Sequence, residues 1–202
     1  MRALPSIPVV CAWLAWAGAG PAVSVGEPFL IQNDHPIGRL YGVPAGEEAA
    51  PVAAAGSELR AGLDVGNNSV EKSRGPDELV LDGETWVLRF AGRYGWKNGW
   101  RVGLQVPVVS HQGGGMDSFI EEYHDALGLP NGNRKRRPAD RLEYRYRRGG
   151  ETLFSQTDSA TGLGDVRLAA GAPLARGSAG ARALEAVAGV ELPTGDSDRL
   201  LG

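Results

Sequence analysis

The residues best able to do chemistry in this sequence crowd into one stretch. Within "SFIEEYHDALGLP", residues 118–130, Glu121, Glu122, His124 and Asp125 stand a few positions apart, with Ser110 and His111 just upstream. Glu121 and His124 are spaced i, i+3, and Glu121 and Asp125 i, i+4, so all three share one face of a helix. Glu-x-x-His is a metal-ligand spacing in di-metal helix bundles, where a second copy on another helix completes the site. This chain has no second copy, and its remaining histidine is the distant His35. The spacing is also not the His-Glu-x-x-His of zinc proteases. The same residues build a short amphipathic helix over about 117–128. Asp117 or Ser118 would cap it, with Glu121 or Glu122 reaching back as a capping box. Phe119, Ile120, Tyr123 and Leu127 would form its apolar stripe, and Gly128 and Pro130 would stop it. The expectation is a structural helix, with no metal and no cofactor. A lipid-acting enzyme using the 110–125 region is the catalytic alternative. Ser110 and His111 cannot pair by themselves, because neighbours on a strand point to opposite faces.

The elements that must position this helix read as strands. "ETWVLRFAGRYG" sets Trp86, Leu88, Phe90 and Tyr94 on one face, with Val87, Arg89, Ala91 and Arg93 on the other. "GWRVGLQVPVVSH" opposes Trp100, Val102, Leu104, Val106 and Val108 to Arg101, Gly103, Gln105 and Pro107. Asn98-Gly99 between them suits a tight hairpin turn. "ELRAGLDVGNN", "RLEYRYRR", "GLGDVRLAAGAPLA" and "RALEAVAGVELPTG" alternate in the same period of two. Arg60, Arg89, Arg93, Arg101, Gln105, Arg145 and Arg167 recur on the polar face beside small residues, as expected of side chains lining a wet lumen. Aromatics gather near strand ends, where rings sit at a lipid headgroup level. Short turns ("GWKNG", "ARGSAGA") alternate with long connections, 66–84 and 111–140, which are expected to face outward. "HQGGGM" reads as a flexible hinge before the helix.

Composition agrees with a strand-and-turn chain: 202 residues with 30 Gly and 13 Pro. The formal net charge of -3 gives no case for nucleic acid, despite the basic run 134–148. That run is expected either to meet lipopolysaccharide phosphates or to pair with the helix carboxylates. The start, residues 1–22, reads as a signal peptide, with Arg2, an apolar run and cleavage expected between about 19 and 26. Cys11, the single cysteine, lies inside it. Location in the outer membrane, lipid and lipopolysaccharide contact, and dependence on the barrel-assembly machinery follow as expectations.

"LYGVPAGEEA", "LVLDGETWVLRFAGRYG", the run "WRVGLQVPVVSHQGGGMDSFIEEYHDALGLPNGNRKRRPADRLEYRYRR" and "TGLGDVRL" resemble the domain of unknown function 3187 family of Gram-negative envelope proteins. The resemblance is strongest over residues 79–148. It implies a larger outer-membrane barrel and brings no catalytic residues with it. The expected fold is all-β: an antiparallel transmembrane β-barrel of the outer-membrane type. Residues 27–202 would be the N-terminal portion of one barrel domain. With six or seven strands it would be incomplete, and the single helix would sit in a long loop. The function expected is non-enzymatic: a passive channel or transporter for small, anionic solutes through the Arg-lined face, or a structural envelope protein. A soluble periplasmic β-sandwich binding module is the other reading. The helix residues Glu121, Glu122, His124 and Asp125 would act as a plug inside the barrel or a lid outside it.

Overall fold

The structure, a computed structural model, describes residues 11–18, 34–39, 56–132, 134–176 and 182–202. It is mostly one antiparallel sheet, curled into a half-barrel. Nine strands are described: β1 (Cys11–Gly18), β2 (Ser57–Arg74), β3 (Asp77–Gly95), β4 (Arg101–Gln112), β5 (Glu143–Arg148), β6 (Glu151–Gln156), β7 (Ala160–Leu163), β8 (Val166–Arg176) and β9 (Arg182–Leu192). Two α-helices join them, α1 (Pro36–Arg39) and α2 (Met116–Leu127).

A strand forms in each of the six segments where alternation predicts one, and the β3–β4 hairpin closes at 96–100 with Gly95 opposite Arg101. One long connection proves to be sheet. Residues 66–84 continue β2 into β3 without a break in register, from Ser57 opposite Tyr94 up to Arg74 opposite Asp77. By sequence this stretch resembles an outward loop, because its charges hide the alternation. Val70, Leu79 and Leu81 supply the apolar contacts that hold it extended. β3 is consequently shared. Its second half pairs with β4, and its first half, Asp77–Asp82, pairs with β5. β4 pairs in turn with β8 at one end and β7 at the other. β6 and β7, short and weakly patterned, raise the strand number above the six or seven expected.

β1 lies within the stretch expected to be a signal peptide, and here it runs antiparallel to β9, Cys11 opposite Gly189. Residues 1–10 and 19–22 of that stretch lie outside the described residues, as do all of "LYGVPAGEEA" (residues 40–49) and the turn 177–181 after β8.

Two apolar clusters sit on the concave side. Leu81, Leu142, Tyr144 and Leu200 form one; Val87, Val109, Ala160 and Leu201 form the other. Leu200 and Leu201 are thus drawn back over the sheet from the segment after β9.

Candidate functional site

Side chains on the lower part of the sheet, from the 96–100 turn up to Trp86, are arranged with polarity reversed from a water-soluble core. On the convex face Leu59 is 87% exposed, and Leu63, Phe90, Leu104 and Leu174 are about half exposed. On the concave face Arg89, Arg101, Arg167 and Glu185 are buried. The period of two delivers this directly, since Leu88 and Phe90 alternate with Arg89 along one strand.

The concave arginines are ion-paired. Arg89 is clamped between Asp34 and Asp64, and Arg39 of α1 shares Asp34 at 3.1 Å. Glu58 accepts from both Arg60 and Arg93. Arg101 Nε donates to Glu185 Oε1 at 2.7 Å. A Cβ on Gly171 would lie 2.1 Å from that carboxylate, so a side chain there would displace the pair. Arg167 stands opposite both Gln105 and Glu191 in register. These side chains, with Arg39 and Asp165, line a polar cavity of about 20 Å³, room for about one water. Six of the seven residues expected to line a lumen therefore share one face. Each buried charge needs a partner in low dielectric, and the sequence supplies carboxylates on the same parity of neighbouring strands.

Arg145 is the exception. On β5 it lies opposite Val80, on the face that carries Asp82, Trp86 and Leu88 further along β3. It joins a cluster on the convex side, above the apolar residues. Arg137 Nε is 2.9 Å from Asp82, and Arg141 and Arg145 reach the two oxygens of Glu143 at 2.9 and 3.1 Å. Burial pushes the Asp82 carboxyl above its usual range despite Arg137. The basic run 134–148 thus serves largely as counter-charge for carboxylates, some from the helix and some from β3 and β5.

α2 spans 116–127, within a residue of expectation, and ends as expected, with Gly128 in the left-handed region and its N–H on the Asp125 carbonyl. Its start is different. Neither Asp117 nor Ser118 caps it. The Glu84 carboxylate of β3 accepts the N–H groups of Gly115 (3.1 Å) and Met116 (2.7 Å), and its other oxygen accepts from the Trp86 indole at 3.0 Å. Asp117 instead accepts from Asn67, Arg134 and the Asp140 N–H. Nor is "GGG" a hinge. A Cβ on Gly114, at φ +79°, would lie 1.9 Å from the Glu84 carboxyl carbon, and one on Gly113 would lie 2.2 Å from the Asp140 carbonyl. The glycines allow a close crossing that a sequence scan reads as looseness.

α2 buries none of its residues. Its latch, Glu84, has the same parity as Trp86 and Phe90 and so lies on the convex face. The helix therefore does not sit in the concavity as a plug. That place is taken by segments the sequence reading left unassigned: residues 34–39, through Asp34 and Arg39, and residues 196–202, through Leu200 and Leu201. Of the α2 polar residues, Asp125 pairs with Lys135 at 2.8 Å and with Asn131, while Glu121 feels the same lysine. Glu122 is exposed, and His124 packs beside the Tyr123 ring. Among the described residues, no group of three or more His, Asp and Glu side chains is placed to hold a metal ion.

Ser110 and His111 diverge as their adjacency requires. Ser110 bonds Thr161 at 2.7 Å, and His111 points inward. His111 Nε2 is 2.9 Å from the Leu200 carbonyl, which can only accept, so Nε2 carries the proton and Nδ1 accepts from Thr85 Oγ1 at 3.0 Å. Thr85 Oγ1 accepts in turn from Tyr144 (3.2 Å) and Asn68 (3.3 Å). Burial lowers the His111 pKa, which keeps the ring neutral. Thr85, His111 and Tyr144 are all fully buried. The network ties β2, β3, β4, β5 and the 196–202 segment together.

Comparison with curated proteins and with solved structures returned no match. The family described as Protein of unknown function (DUF3187) matches residues 3–202, nearly the whole chain. The paired concave arginines, the latched helix and the buried Thr85–His111–Tyr144 network are thus features of a chain that belongs to that family of proteins of unknown function.

Proposed function

We propose that this chain forms wall of an outer-membrane β-barrel, exported to the envelope, without enzymatic activity and without a cofactor. The observation that carries the reading is a reversal of polarity along β3. Over Glu78–Asp82 the concave-side residues are apolar (Leu79, Leu81), and the opposite face carries the charged Glu78 and Asp82 on either side of the buried Val80. From Trp86 to Tyr94 the concave side carries Arg89 and Arg93, and the opposite face carries Leu88, Phe90 and Tyr94. The register never slips, so the sequence itself changes sides. Water on the convex side suits the first half, and lipid suits the second. The Trp86–Tyr94 stretch has the length of a membrane-crossing strand, roughly 9–11 residues. Val102–Val108 of β4 lies beside it, and Tyr94, Trp96 and Trp100 mark its lower edge as an aromatic girdle would. His111, Thr85 and the Asp82 cluster lie above this band.

The pairing of the concave arginines with Asp34, Glu58, Asp64 and Glu185 changes the expected transport property. Positive charge is balanced locally, so a passage along this face favours neither anions nor cations. The proposed role is a passive path for small polar solutes, or an envelope element whose interior is closed by its own segments. Recovery of the protein with membranes, resistant to salt and alkali extraction, supports the wall reading; recovery as a soluble periplasmic protein refutes it and restores the β-sandwich. In planar bilayers, discrete conductance with a reversal potential near zero under a salt gradient supports the neutral path. A strongly anion-selective potential refutes the charge balance.

A further inference from the structure

We infer that α2 is an interfacial helix. It lies against the outer wall at the upper rim of the apolar band, with its apolar stripe in the headgroup–acyl boundary of the lipid layer. This rests on the membrane reading above. Phe119, Tyr123 and Leu127, at i, i+4 and i+8, are 64%, 53% and 57% exposed, and the first two rings stack at 6.4 Å. Among the described residues nothing packs over this stripe. Three such side chains in a row are costly to leave in water.

The position of the helix selects the occupant. Its first amides are bound by Glu84, one step above Trp86 on the convex column that continues through Leu88 and Phe90. The stripe is thus continuous with the proposed lipid-facing wall. The tight crossing at Gly114 fixes the direction in which the helix leaves. At about 100° per residue, the stripe, centred on Tyr123, lies about a third of a turn around the helix from Asp117, which touches the wall, and about a third of a turn from the polar sector of Ser118, Glu122 and Asp125. One side meets the wall, one meets lipid, and the polar side meets water. The exposed Arg136 and Arg141 follow in the adjoining loop, at the level where anionic lipid headgroups lie. Amphipathic helices bind interfaces through this combination of apolar face and nearby basic charge.

Site-directed spin labelling tests the inference on the full chain carrying Cys11→Ser, which leaves no other thiol. Nitroxides at Phe119→Cys, Tyr123→Cys, Glu122→Cys and Phe90→Cys are measured after reconstitution into mixed phosphatidylcholine–phosphatidylglycerol vesicles. All four positions are solvent-exposed side chains, and circular dichroism verifies the strand content. The expected result is an oxygen-to-nickel accessibility ratio several-fold higher at positions 119 and 123 than at 122. Equal ratios at 119, 122 and 123, with the label at 90 still in lipid, overturn the interfacial helix alone. An immobile label at 123 that neither oxygen nor nickel reaches also overturns it, because the stripe then packs on protein. Nickel access at position 90 overturns the wall reading and this inference with it.

Discussion

The two halves of the β2–β3 ribbon share one register and one backbone geometry yet are built on opposite chemistry. Above Gly83, Leu81 and Tyr144 are sealed on the concave side, and Arg137, Asp82 and Glu143 interlock on the convex side. Below it, Arg89 and Arg101 are sealed inside, and Leu63, Phe90 and Leu104 stand outside. Sheet geometry alone therefore decides nothing about which face is apolar. The surroundings of each half do, and on the proposed wall reading the reversal midway along the strand fits the two halves to two media.

The comparison is broken most severely by an unpaired charge in the lower half. Arg101→Met alone should cost about 3–5 kcal/mol, because Glu185 is left buried without a partner, whereas Arg101→Met with Glu185→Leu should recover most of that loss. Denaturant titration of the reconstituted protein reads both, and a double variant no better than the single one sinks the ion-pair account. In the upper half Leu81→Ala should cost about 2–5 kcal/mol through loss of contact with Tyr144 and Leu200. A loss below that range would mean the upper cluster around Leu81 and Tyr144 is not a packed core.

Leu104→Arg sharpens the contrast between media. On a lipid-facing wall it should cost about 2–4 kcal/mol. On a water-facing sheet the same change is expected within about 0.5 kcal/mol. The smallest effect concerns pH. The folded His111 pKa lies below its ordinary value of 6.5, so its contribution is complete above that pH. Stability should decline as pH falls below it, because the unfolded chain takes up a proton that the buried ring refuses. His111→Asn should flatten that slope in denaturation midpoints measured between neutral and mildly acidic pH, and an unchanged slope would remove His111 as its source.

Some of this architecture is legible residue by residue. The alternation of Leu88 and Phe90 with Arg89, the turn at Asn98-Gly99, and the stop of α2 at Gly128 are local consequences of side-chain type and backbone freedom, and they are where the reading expects them. Arg145 falls on the other face because alternation assigns a face within one strand but not across β3 and β5, whose pairing is a long-range fact. The helix start is capped from afar because Glu84, more than thirty residues away, outcompetes the local candidates Asp117 and Ser118.

The sequence by itself determined six of the strands in outline, the helix and the alternation of polar with apolar positions along them, since periodicity two and helix-stop chemistry need no tertiary partner. Only the tertiary structure decided which carboxylate neutralises which arginine, and that α2 stands outside while residues 34–39 and 196–202 cover the concave face. Those outcomes depend on the approach of segments far apart in the chain, and a buried charge or an open helix end accepts whichever partner the fold brings within reach.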